Sequence, residues 1–253
     1  MEEKINCLNC RVEVYGNFCS NCGQRGDLTP IRFKDLGSDF LSSLVNYDAP
    51  FPRTLGNLFV RPGKLIREYL EGRRKTYFAA VRYLILCLAI SVLVTKVFDY
   101  DPVMTQLEAK GISMENRSSD VSLFAGEFLH KNINYFIFLF PFVIGLISKL
   151  FYWKWHYNYA ERTAVGFFIS AQFLIISSIM VPLMIWMPKL FRLNNFLVIA
   201  YITFAFYNFF QPKRKFLGIL QSLLAAVTSY FIYIFIAFLL AIAIIKTFDI
   251  NTI

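Results

Sequence analysis

Apolar residues are spread unevenly along this chain. Up to residue 76 they recur in runs of no more than three among polar residues, and beyond it they run together in five blocks, at about 77–98, 133–152, 164–187, 194–210 and 217–245. As a helix, each block can cross a hydrocarbon core of about 30 Å. None contains Asp or Glu. The fourth is the shortest and carries Asn194, Asn195 and Asn208, so it is the weakest span. The fifth exceeds what a crossing needs and should tilt. The pattern predicts an all-α membrane protein, a five-helix transmembrane bundle over residues 77–253.

The preceding stretch, 27–76, has helical periodicity with breaks. Thr29 and Pro30 suit an N-cap and a first helical position. Ile31, Phe33, Leu36, Phe40, Leu41, Leu44 and Val45 then share a face opposite Arg32, Lys34, Asp35 and Asp39. Such a helix either packs on the rest of the protein or lies on the membrane surface. Asp48-Ala49-Pro50-Phe51-Pro52 ends it, and Arg61-Pro62-Gly63 separates two shorter amphipathic stretches, Arg53–Val60 and Lys64–Glu71. Gly72 stops the last, and Arg73, Arg74 and Lys75 form a basic collar before the first span. These elements are expected as interfacial helices. A further amphipathic segment, Val121–His130, is expected within the loop 99–132.

Charge adds an orientation. The chain carries 26 Lys and Arg against 17 Asp and Glu, a formal charge of +9. If the N-terminus is cytoplasmic, 18 of the 26 basic residues fall on the cytoplasmic side. The loop 99–132 is acidic instead, with Asp99, Asp101, Glu108, Glu115, Asp120 and Glu127. This is the positive-inside distribution, with the C-terminus outside. It also accounts for the net charge through topology and headgroup contact, so no nucleic-acid partner is expected. The first twenty residues lack the short apolar core of a secretory signal, so an internal span is expected to drive insertion.

Four of the five cysteines fall in Cys7-Leu8-Asn9-Cys10 and Cys19-Ser20-Asn21-Cys22-Gly23. Each C-x2-C can turn two thiolates toward one ion, and four thiolates close a tetrahedral site. Gly16 and Asn17 supply a turn between the knuckles, and Gly23 suits a left-handed residue after the second. A module of residues 1–26 has little core of its own, so metal binding would supply most of its folding energy. Two disulfides would need an oxidising compartment. A redox dithiol needs one C-x-x-C in a thioredoxin-like setting. Iron uses similar knuckles. Structural Zn2+ held by Cys7, Cys10, Cys19 and Cys22 is the preferred reading, with sulfurs within roughly 4 Å of one another.

Other chemistry is sparse. Arg82, inside the first span, can snorkel to the interface or act as a buried functional cation. Glu161 and His156 could form a site near Trp153, Trp155, Tyr157 and Tyr159, although an interfacial aromatic belt explains most of that cluster. Ser170, Gln172, Ser177, Ser178, Tyr201, Thr203 and Tyr207 can hydrogen-bond between spans. Metalloprotease, nucleophile-elbow and phosphate-loop motifs are absent. The sequence therefore reads as a non-enzymatic integral membrane protein, with a ribbon for docking a protein partner or for assembly and with room for a homo-oligomer. The alternative is a small transporter, channel or lipid-handling protein using Arg82 and the polar faces of spans three and four.

Phe-Cys-x2-Cys-Gly-Gln at 18–24, followed by Thr54-Leu55, Arg61-Pro62-Gly63, Tyr69-Leu70, Gly72-Arg73-Arg74 and Tyr77, resembles a family of bacterial membrane proteins, the domain of unknown function 3667 (DUF3667). Asn158-Tyr159-Ala160-Glu161 is a further point of similarity. The resemblance implies a multi-pass membrane protein with an N-terminal zinc ribbon, and the topology read above puts it in a bacterial inner membrane. It implies no particular activity.

Overall fold

The computed structural model describes residues 5–26, 30–33, 51–101, 125–126, 128–129 and 132–248. Thr29, most of the helix expected over 31–45 and most of the loop 99–132 lie outside the described residues.

The ribbon is a small hairpin, β1 (Ile5–Asn6) antiparallel to β2 (Glu13–Val14), with Ile5 opposite Val14. Two short helices follow, α1 (Phe51–Val60) and α2 (Pro62–Leu70). The spans are α3 (Ala80–Val97), α4 (Phe140–Phe151), α5 (Tyr159–Trp186), α6 (Phe191–Phe210) and α7 (Lys215–Phe248). Among the described residues five helical segments, the second running from Asn134 to Phe151 through α4, are long and apolar enough to cross a membrane. The chain is a multi-pass membrane protein.

The helix bounds depart from the apolar blocks for local reasons. The second block is interrupted by a 3-10 turn at Ile137–Leu139, because Pro141 lacks an N–H and its ring crowds the carbonyl four residues back. The third helix begins at Tyr159 rather than 164. There the Asn158 side chain accepts from the Glu161 amide at 2.9 Å, and the Asn158 amide donates to the Glu161 carboxylate at 2.8 Å. This reciprocal capping box carries the helix back past Glu161 and Arg162.

α5 is the central helix, packed against α3, α4 and α6. Every residue from Arg162 to Gln172 is buried. α1 and α2 are bound into the bundle more deeply than interfacial helices need be. Leu58 is fully buried, the Gln172 amide of α5 reaches the Leu55 carbonyl at 3.4 Å, and the Tyr201 hydroxyl of α6 donates to the Leu58 carbonyl at 3.1 Å. Where water is scarce these carbonyls need such partners.

At Gly63 the start of α2 abuts the end of α6. A Cβ built there would lie 2.0 Å from the Asn208 carbonyl oxygen and 2.5 Å from the Phe209 nitrogen. The glycine of Arg61-Pro62-Gly63 is thus set by backbone-to-backbone approach. Gly63→Ala is expected to cost about 1–3 kcal/mol through overpacking, seen as a lowered melting temperature in detergent.

Candidate metal centre and its dock on the basic collar

Both knuckles fold alike. The Arg11 amide donates to the Cys7 carbonyl at 2.8 Å and the Cys7 amide to the Val12 carbonyl at 2.9 Å. In the second knuckle the Gly23 amide donates to the Cys19 carbonyl at 2.8 Å and the Cys19 amide to the Gln24 carbonyl at 2.7 Å. The residue after each C-x2-C is left-handed, with φ of 64° at Arg11 and 66° at Gly23. Gly23 meets the expectation from its position, while Arg11 holds the same shape as a non-glycine residue.

This geometry converges all four sulfurs, every pair within 4.8 Å. Cys7 and Cys22 are 3.6 Å apart and Cys10 and Cys19 3.4 Å. The spread is somewhat wider than the 4 Å expected. For M–S bonds of about 2.3 Å, a tetrahedron needs S···S of about 3.8 Å, so the donor set fits a metal of zinc's size. All four cysteines are free thiols rather than disulfides. The Val12 backbone amide, then the Asn21 side chain, pull the Cys10 thiol down to about 6, while burial pushes Cys22 up to about 12. Amide donors aimed at sulfur favour the thiolate that a metal requires.

The ribbon is seated on the collar. Gln24, almost fully buried, accepts from the amides of Arg74 and Lys75 at 3.2 and 3.3 Å. Asn9, inside the first knuckle, accepts from the Thr76 amide at 3.1 Å and hydroxyl at 2.7 Å. Asn9 and Asn21 occupy equivalent knuckle positions, one turned outward to the collar and one inward to sulfur. From the other side, Thr54 of α1 accepts from the Phe78 amide at 2.9 Å. The irregular stretch between α2 and α3 thus has its amides taken by ribbon and α1 side chains. Its entry is a Schellman cap: the Gly72 amide donates to Tyr69 and the Arg73 amide to Glu68, with Gly72 at φ 112°. Glu68 also pairs with Arg73 at 3.3 Å and accepts from the Tyr77 hydroxyl at 2.6 Å. Burial, then Glu68, push Tyr77 up to about 12, so it remains a neutral donor.

Among the other sequence candidates, Arg82 is half-buried in the first turn of α3, near the collar. Glu161 is committed to the Asn158 cap, and among the described residues no hydrogen bond joins it to His156, which is exposed. Glu161→Ala should cost about 1 kcal/mol as the loss of a cap, read as a small fall in melting temperature. Polar groups of spans three and four tie helices together: the Asn194 amide lies 3.3 Å from the Ser177 hydroxyl, and Gln172 and Tyr201 hold α1.

The charge reading missed two arginines. Arg162 is 2% exposed and donates to four backbone carbonyls, those of Ser148, Tyr152, Trp155 and Tyr157, at 2.6–3.0 Å. Arg67 of α2 donates to the carbonyls of Asn208 and Phe209, and the Trp155 indole to that of Phe210. The C-terminal carbonyls of α6, which no intrahelical amide can reach, are thus capped by side chains, while Arg162 ties the end of α4 to the connection that follows it. For Glu161, the Asn158-x-x-Glu161 spacing was the readable signal.

Residues 48–92, which hold α1, α2, the collar and most of α3, match the model of a family described as a protein of unknown function (DUF3667). The chain is similar to DUF3667 over these residues. The DUF3667 match covers the collar on which the ribbon sits, and it supports the resemblance read from Arg61-Pro62-Gly63 and Gly72-Arg73-Arg74. Comparison with curated proteins and with solved structures gives no match.

Proposed function

We propose that this protein is a non-enzymatic component of a bacterial inner membrane whose four-cysteine module is a structural zinc ribbon that organises the entry to the first span. The observation that carries this reading is the seat of Asn9 and Gln24 on the amides of residues 74–76. One ion would order both knuckles, and the ordered knuckles hold the collar. A site with four thiolates has no open position for substrate, which favours a structural over a catalytic role. The basic collar and the basic residues of the 149–162 and 213–215 segments support a cytoplasmic side for this end of the bundle, with the C-terminus outside. There thiols stay reduced and available to zinc.

The ribbon also suits docking of a protein partner, because Leu8, Val12, Tyr15 and Phe18 are exposed on it. The test combines metal analysis with sided thiol labelling. One zinc per chain is expected, with Cys7 reactive to an impermeant reagent only from the cytoplasmic face and only after chelation. A Glu115→Cys variant should label from the opposite face. Labelling of Cys7 from outside would overturn the placement, and a metal-free chain with an intact ribbon would overturn the zinc role.

A further inference from the structure

Beyond the ends of α4 and α6, on the ribbon side of the bundle, an open groove of about 940 Å³ separates two connections. One wall is Lys154–Tyr157, which follows α4. The other is Gln211–Arg214 with Leu217, Gly218 and Gln221 at the start of α7. Lys154, His156, Lys213 and Arg214 are exposed there, and among the described residues no carboxylate lines the groove. Trp155, Pro212 and Leu217 give its lining an apolar part.

We propose that this groove binds the headgroup of an anionic phospholipid from the leaflet on the ribbon side. Charge complementarity selects the headgroup, since basic side chains from two separate connections converge on one opening. The surroundings select a lipid over a soluble phosphate. Beside the groove the surface continues into Leu150 and Trp153 around the end of α4 and into Phe216 and Leu220 on α7, all exposed. In a membrane-spanning chain that surface meets acyl chains, so a phosphate seated among the lysines leaves its tails lying along α7. Trp155, half-buried in the groove and held by its indole bond to Phe210, forms a firm wall.

The full chain, reconstituted in phosphatidylcholine nanodiscs, would be titrated with brominated phosphatidylglycerol or brominated phosphatidylcholine while tryptophan fluorescence is followed. Saturable quenching at about tenfold lower mole fraction of the glycerol lipid is expected. A K154Q/K213Q/R214Q variant, altered only at exposed side chains, should lose that preference, with melting temperature confirming its fold. Glycerol phosphate added in solution should not relieve the quenching. Equal quenching by the two lipids in the wild type would overturn the proposal, as would a preference unchanged in the triple variant. Relief by millimolar glycerol phosphate would overturn the lipid in favour of a free phosphate.

Discussion

Arg162→Met is expected to lower the stability of the bundle by about 3–5 kcal/mol and to leave little monodisperse protein after detergent extraction. The guanidinium is 2% exposed and donates to four carbonyls. Its charge faces the negative end of the α4 helix dipole, with the Phe210 ring 5.8 Å from its central carbon. Methionine fills much of the volume but donates nothing, so the Trp155 and Tyr157 carbonyls lose the guanidinium where water is scarce, and those of Ser148 and Tyr152 keep only a backbone amide. Lysine keeps the charge, but a compact ammonium cannot span four acceptors as the planar fork does, so Arg162→Lys should recover only part of the loss. Thermal unfolding of the three proteins in one detergent checks the order. If methionine proved as stable as arginine, the capping account of the α4–α5 junction would be wrong.

The second large effect is local to the ribbon. Cys19→Ser is expected to abolish metal binding and unfold residues 5–26, because the described core of this module is little more than Val14 and the cysteines themselves. Structural zinc supplies about 10–16 kcal/mol of apparent folding energy in comparable small modules. Limited proteolysis should cut between the knuckles in the variant and not in the metal-loaded wild type. α5 should be untouched, since its burial is against α3, α4 and α6. The sulfurs must lose protons to bind, so acidification should release the metal and reproduce the phenotype.

What was readable in the sequence follows from how far each interaction reaches. The knuckles were legible because C-x2-C fixes its own geometry, and the spans because an apolar run must be buried or meet lipid. The collar was legible as basic residues before a span. Its use as a seat for Asn9 and Gln24 was not, because those bonds join residues about 50 to 67 positions apart. Arg162 was read as one positive charge among several at a membrane face. Its partners, Ser148 and Tyr152, precede it by 14 and 10 residues across a turn that had to fold first. Arg67 meets Asn208 and Phe209 from more than 140 residues away. The start of α5 was within reach, since Asn158 and Glu161 have capping-box spacing, but the apolar run begins later and drew the boundary to 164. The depth of α1 had no local signal, as Gln172 and Tyr201 are ordinary polar residues of their spans.

The central claim is that an ordered metal site holds the collar. Hydrogen exchange of the peptide covering Arg74, Lys75 and Thr76, with and without a zinc chelator, tests it most directly. Chelation should speed exchange there by at least about tenfold while peptides from the centre of α5 stay unchanged. Exchange at 74–76 that is indifferent to the metal would contradict the account.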